Sequence, residues 1–135
     1  MEKQASPKRI KVLLSKSRMD VHDRGVRYLA RCMLESGMEV ILSRHGIIDE
    51  VANAALQEDV DVIGVSFSVG GHVAASERLR KLMQEKGIGD KLVIVGGIIP
   101  DDDVPALKKL DIDGIFGAGS SAEEAIEFIN NRINA

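Results

Sequence analysis

Asp20-Val21-His22-Asp23-Arg24-Gly25 is the stretch whose residue types and spacing could do chemistry. A neutral histidine offers one ring nitrogen to a metal. A carboxylate two residues earlier can accept a hydrogen bond from the other, fixing the tautomer and raising ligand basicity. On this chemistry His22 is a single metal ligand with Asp20 as its orienting partner. Gly25 lets backbone or ligand approach closely just where a helix begins.

The stretch follows an apolar, strand-like run, Ile10 to Leu14, and precedes a helical pattern opening at about Gly25. In an open α/β sheet, ligands bind in the crevice outside the carboxyl ends of the strands. Further short runs rich in Val and Ile are Met38 to Leu42, Val60 to Val65, Leu92 to Val95 and Gly114 to Phe116. None alternates cleanly, which is the pattern of strands buried on both faces. Between them, Val26 to Ser36, Asp49 to Glu58, Val73 to Lys86 and Asp102 to Leu110 carry apolar residues at helical spacing, and Ala122 to Ile133 follows. Five βα units predict an α/β fold: a doubly wound, five-stranded parallel sheet of flavodoxin-like (Rossmann-like) order 2-1-3-4-5. Residues 1–9 are polar and read as a flexible tail, leaving 10–135 as one domain.

Small residues gather where the strands end: Ser66 and Ser68 after strand 3, Gly96-Gly97 after strand 4, Gly117, Gly119, Ser120 and Ser121 after strand 5. Parallel strands bring these loops and the His22 loop to one edge. Such an edge suits a bulky ligand whose tail slots between loops, and Ser120 or Ser121 can cap the last helix.

Composition narrows the classes. With 44% apolar and 29% charged residues and a net charge of -3, the chain has no basic block for nucleic acid. No apolar run approaches the roughly 18 residues of a membrane span. The lone Cys32 excludes an internal disulfide and a cysteine metal cage, suits a reducing cytoplasm, and reads as a buried small hydrophobe. His45 reads as a solvated loop residue. His72, at the start of helix 3 close to the binding edge, reads equally as a helix-start polar residue or as a cofactor or partner contact. Asp101, Asp102 and Asp103 read as caps of helix 4 rather than a triple-carboxylate metal site.

Taken together, Asp20-x-His22-x-x-Gly25, Gly64-Val65-Ser66, Gly96-Gly97-Ile98-Ile99-Pro100 and Phe116-Gly117-x-Gly119 resemble the cobalamin-binding domain of adenosylcobalamin-dependent mutases, in the wording of the acyl-CoA mutases. The resemblance runs from about Lys11 to Ile129. It implies that His22 replaces the cofactor's own dimethylbenzimidazole as lower ligand of cobalt, with Asp20 behind it and Lys16 continuing the polar relay. It implies that Asp23, Arg24 and Gly25 border the cofactor. The displaced nucleotide tail would lie in a slot lined by Ser66, Ser68, Gly96, Gly97, Gly117 and Gly119, with Ser120 beside it. Two positions depart from the family pattern. Arg18 stands where glycine is usual, and could reach the tail's phosphate, a partner surface or solvent. Ser68 stands where leucine is common, making the slot more polar.

The resemblance further implies a division of labour. The substrate site of these mutases lies on a TIM-barrel chain that can be fused or separate. A chain running from strand 1 to helix 5 is expected to be the separate small subunit of a hetero-oligomer, meeting its acyl-CoA substrate through the large partner. It would supply no catalytic group beyond the axial ligand. The small subunit of glutamate mutase and a corrinoid carrier for methyl transfer share the Asp-x-His logic. A receiver-type signalling domain would need an aspartate where strand 3 ends in Ser66.

Overall fold

The computed structural model describes residues 9–20, 24–67, 70–117 and 119–134. His22, Asp23 and Ser68, three of the residues singled out above, lie outside the described residues. The chain alternates strand and helix throughout: β1 (Lys11–Ser17), α1 (Arg24–Glu35), β2 (Glu39–His45), α2 (Asp49–Glu58), β3 (Val62–Phe67), α3 (His72–Glu85), β4 (Leu92–Gly97), a 3-10 turn (Asp101–Asp103), α4 (Val104–Lys109), β5 (Gly114–Phe116) and α5 (Ala122–Ile133). The strands form one parallel sheet in the order β2-β1-β3-β4-β5, as the sequence pattern predicts.

Two apolar layers sandwich the sheet. Leu13, Ile63, Val65, Val93 and Val95 pack against α2, α3 and α4 through Val51, Ala55, Leu79, Met83 and Leu107. Val12, Leu14, Val62, Leu92 and Ile94 face the other way, onto Val26, Ala30 and Met33 of α1 and Ile129 of α5. Adjacent residues such as Leu13 and Leu14 serve opposite layers, which is why the strands read as continuous apolar runs. Each such leucine, fully buried, contributes about 1.5–3 kcal/mol. β1 pairs β2 on one side and β3 on the other, so the chain reverses its winding there and opens a crevice at the carboxyl edge.

Several strands run further than their apolar cores. β1 continues through Ser15, Lys16 and Ser17, with Lys16 in register with Arg44 and Ser66. β3 includes Ser66 and Phe67, and β4 includes Gly96 and Gly97. These residues therefore stand in the ladder rather than in the loops where the sequence pattern puts them. Helix 4 is also shorter than expected. The chain makes a 3-10 turn over the three aspartates before α4 begins, with Pro105 in its first turn. α5 opens with a capping box: the Glu124 N–H donates to Ser121 Oγ at 3.1 Å, and the Ser121 N–H donates to Glu124 Oε1 at 2.8 Å.

Candidate functional site

At the carboxyl edge, between α1 and α5, the sheet opens into a cavity of about 470 Å³. Its floor is Leu14, Gly64, Ile94 and Phe116 from four adjacent strands. Gly25, Val26, Tyr28 and Leu29 of α1 form one wall, and Ala122, Glu123 and Ala125 of α5 the other. Seven of the residues expected to border the cofactor lie on it, Gly25, Ser66, Gly96, Gly97, Gly117, Gly119 and Ser120, and so does Ser121. The helical walls are additions, and Gly64, part of the Gly64-Val65-Ser66 motif but not expected as a slot residue, joins the floor. Gly64 carried a readable signal, because glycine inside an apolar strand marks a close approach. A β-carbon there would come within 2.7 Å of Leu14 Cδ2 and 3.3 Å of Ile94 Cγ1.

Glycine is required on this floor at two further points. A β-carbon at Gly96 would sit 2.9 Å from the Phe116 carbonyl oxygen. Gly97 combines φ of +101° with a site where a β-carbon would fall 2.1 Å from the Phe67 carbonyl oxygen. The cavity is thus a mostly apolar slot whose polar lining comes from Ser66, Ser120, Ser121, Tyr28 and Glu123. That chemistry accepts a flat, mostly apolar group that carries a few polar atoms.

Beside the slot the end of β1 holds a buried ion pair. Lys16 Nζ lies 3.7 Å from Asp20 Oδ1, and each side chain is 1% exposed. Burial of a charge is costly unless a partner offsets it, so this pair fixes Asp20 at the edge, two residues from His22. The Asp20 carbonyl also accepts from Arg44 Nη1 at 3.3 Å, and the Arg18 N–H donates to the His45 carbonyl at 2.8 Å. Arg24, the first residue of α1, is exposed at the same edge and is not among the lining residues of the slot.

Other expectations need correction. Arg18, for which a tail phosphate, a partner surface or solvent stood open, is exposed with its guanidinium 3.5 Å from Glu50 of α2. Cys32 is half-buried rather than buried. His45 is a buried residue of β2, not a solvated loop residue, and its Nδ1 shares a 2.7 Å hydrogen bond with Ser15 Oγ. Asp103 makes no side-chain cap on α4; its carboxylate is bonded to His72 instead. Among the described residues no group of three or more His, Cys, Asp and Glu is arranged to hold a metal.

Burial pushes His45 below the ordinary imidazole value, opposed by Glu50 and reinforced by Arg18. The unfolded chain therefore takes up a proton that the fold excludes. The stability from neutral His45 is present above about pH 6.5 and is lost as pH falls from there through the lowered folded value. Urea midpoints of wild type should fall more steeply below pH 6.5 than those of His45→Gln. Identical slopes for both proteins would contradict the assignment.

Against this geometry, the sequence profile of the B12 binding domain matches residues 10–127. The chain is 41% identical over 127 residues to the 2-hydroxyisobutanoyl-CoA mutase small subunit of Aquincola tertiaricarbonis, covering 93% of each. It is 36% identical over 126 residues to the pivalyl-CoA mutase small subunit of Xanthobacter autotrophicus, covering 93% of this chain and 84% of that one. A cobalamin-binding protein from Desulfitobacterium hafniense superimposes with a TM-score of 0.75 at 20% identity, over 92% of this chain and 59% of that one, a likeness of fold alone. The profile begins at β1, ends in α5 and so spans every strand that floors the slot; the chain belongs to the B12-binding domain family.

Proposed function

We propose that this chain is the cobalamin-binding small subunit of an acyl-CoA mutase, an isomerase that works only with a large partner subunit. The observation that carries the reading is the glycine-floored slot opening beside the Lys16–Asp20 pair. A nucleotide tail detached from cobalt needs such a recess, and cobalt needs a replacement ligand at its mouth. The donor set fits: the sequence supplies one histidine there, flanked by Asp20 on one side and Gly25 on the other. Membership of the B12-binding family and near full-length similarity to two mutase small subunits support the same conclusion.

In this reading His22 would supply the protein ligand to cobalt. Asp20 accepts a hydrogen bond from the other imidazole nitrogen, and buried Lys16, 3.7 Å away, holds Asp20 in place. Ser66, Ser68 and Ser120 serve the polar atoms of the tail, while Gly25, Gly96, Gly97, Gly117 and Gly119 give it room. Asp23 and Arg24 border the corrin. The bound form is adenosylcobalamin, which supplies a carbon radical by homolysis of its cobalt–carbon bond. This chain's residues would bind and orient that group. The acyl-CoA substrate and the protein groups that touch it belong to the large subunit, a TIM barrel in a hetero-oligomer. No helix among the described residues is long and apolar enough to cross a membrane, and a cytoplasmic location suits the free Cys32.

Equilibrium dialysis against adenosylcobalamin tests the reading. Wild type should retain the cofactor, and His22→Ala should weaken retention by roughly tenfold or more, the scale expected when a ligand to a metal is lost. A wild-type chain that retains none would overturn it.

A further inference from the structure

We infer that His72 and Asp103 form a positioning pair that holds the slot to the shape of the nucleotide tail; this rests on the cobalamin reading above. His72 opens α3 immediately after Gly71, and Asp103 ends the 3-10 turn after β4. Their side chains meet at 2.5 Å between Nε2 and Oδ2, with the His72 side chain 8% exposed. The carboxylate can only accept, so the ring N–H donates to it. The bond ties together two loops that leave the same edge of the sheet, 31 residues apart in sequence.

The segment between these loops is pinned at its other end as well. The Ile98 N–H donates to the Phe67 carbonyl at 2.7 Å, and Gly97 packs directly on the Phe67 backbone. The Phe67 ring in turn lies 5.9 Å from the His72 ring. Residues 97–103 are therefore held at one end to Phe67 of β3 and at the other to His72 of α3. In the middle, Ile99 sits beside Gly117, where a β-carbon would lie 4.0 Å from Ile99 Cβ and from the Gly97 carbonyl oxygen, and Gly117 lines the slot together with Gly97. The pair thus sets the spacing of two glycines on the slot's floor without touching the slot itself.

A stabilising role alone accounts poorly for this choice of residues. His72 Nδ1 is buried and has no hydrogen-bond partner among the described residues. A buried polar atom left unsatisfied costs free energy, and buried polar pairs are often replaceable by apolar side chains without loss. What an apolar pair lacks is direction. The hydrogen bond fixes where the 3-10 turn sits relative to α3, and with it the floor.

The test compares cobalamin with cobinamide, the same corrin without its nucleotide tail, on the purified chain. Asp103→Ala should weaken cobalamin binding by about tenfold, as loss of a charge-assisted hydrogen bond allows, and leave cobinamide binding within about twofold. Asp103→Asn keeps an acceptor oxygen and should restore most of the loss. Asp103 is partly exposed, so its variants are the ones expected to fold; His72→Gln provides the check from the other partner. Equal weakening of both corrinoids would overturn the inference, and so would a lowered melting temperature with an unchanged cobalamin-to-cobinamide ratio. Wild type that binds cobinamide but gains nothing from the tail overturns it too. Wild type that binds neither corrinoid fails at the earlier reading.

Discussion

Gly25→Leu is expected to cost the protein at least about a hundredfold in cobalamin affinity while leaving the empty fold as stable as wild type, or more so. Gly25 is the second residue of α1 and lines the slot. A β-carbon built on it meets nothing within 4 Å among the described residues, and because Gly25 lines the slot, a leucine there brings bulk to the wall where the ligand's tail would lie. Helix propensity works in the same direction, because leucine is favoured over glycine in a helix by up to about 1 kcal/mol. Activity and stability should therefore move in opposite directions, a signature of a glycine kept for its ligand. Dialysis against cobalamin and a thermal melt measure the two. Undiminished binding would show that the tail does not enter between α1 and β3.

The second large effect falls on the fold. Gly97→Ala should destabilise by roughly 3–5 kcal/mol, enough to consume much of a typical domain's stability of about 5–15 kcal/mol. Three atoms of the Phe67 backbone would lie within 3 Å of the new β-carbon, at 2.1, 2.8 and 2.9 Å, and none belongs to a side chain that could swing away. The φ of +101° adds strain for any L side chain. Gly119→Ala is the control: its φ is +92°, but a β-carbon there meets nothing within 4 Å. It should lose only about 1 kcal/mol, the cost of the backbone conformation without the clash. Denaturant midpoints separate the cases, and equal losses would place the constraint in the dihedral alone.

These two glycines also mark what the sequence made readable. Gly25, Gly96, Gly97, Gly117 and Gly119 stand out at strand ends, and all five line the slot. The sheet order followed from five βα repeats, since short parallel units close in few ways. The helical walls were harder to see. Tyr28, Leu29 and Glu123 have no local signature, and they become lining residues only because α1 and α5 share one face of the sheet. Strand ends were underread for a related reason. Lys16 and Ser66 look like loop residues, yet ladder pairing with neighbouring strands carries both into the sheet. His45 and His72 show the same effect at longer range. His45 reads locally as a loop residue and His72 as a helix-start residue, because the partner of each, Ser15 or Asp103, lies about 30 residues away. Single-residue polarity cannot reveal such pairs, since the long-range packing that buries them is absent from the local pattern.

The central claim is that a protein histidine, not the cofactor's own base, holds cobalt. Electron paramagnetic resonance of cob(II)alamin bound to uniformly nitrogen-15-labelled protein tests it most directly, because the axial nitrogen splits the cobalt lines according to its nuclear spin. Ligation by His22 predicts a doublet from the labelled protein that becomes a triplet with unlabelled protein and disappears in His22→Ala. A triplet from the labelled protein would mean that dimethylbenzimidazole remains on cobalt, and would contradict the account.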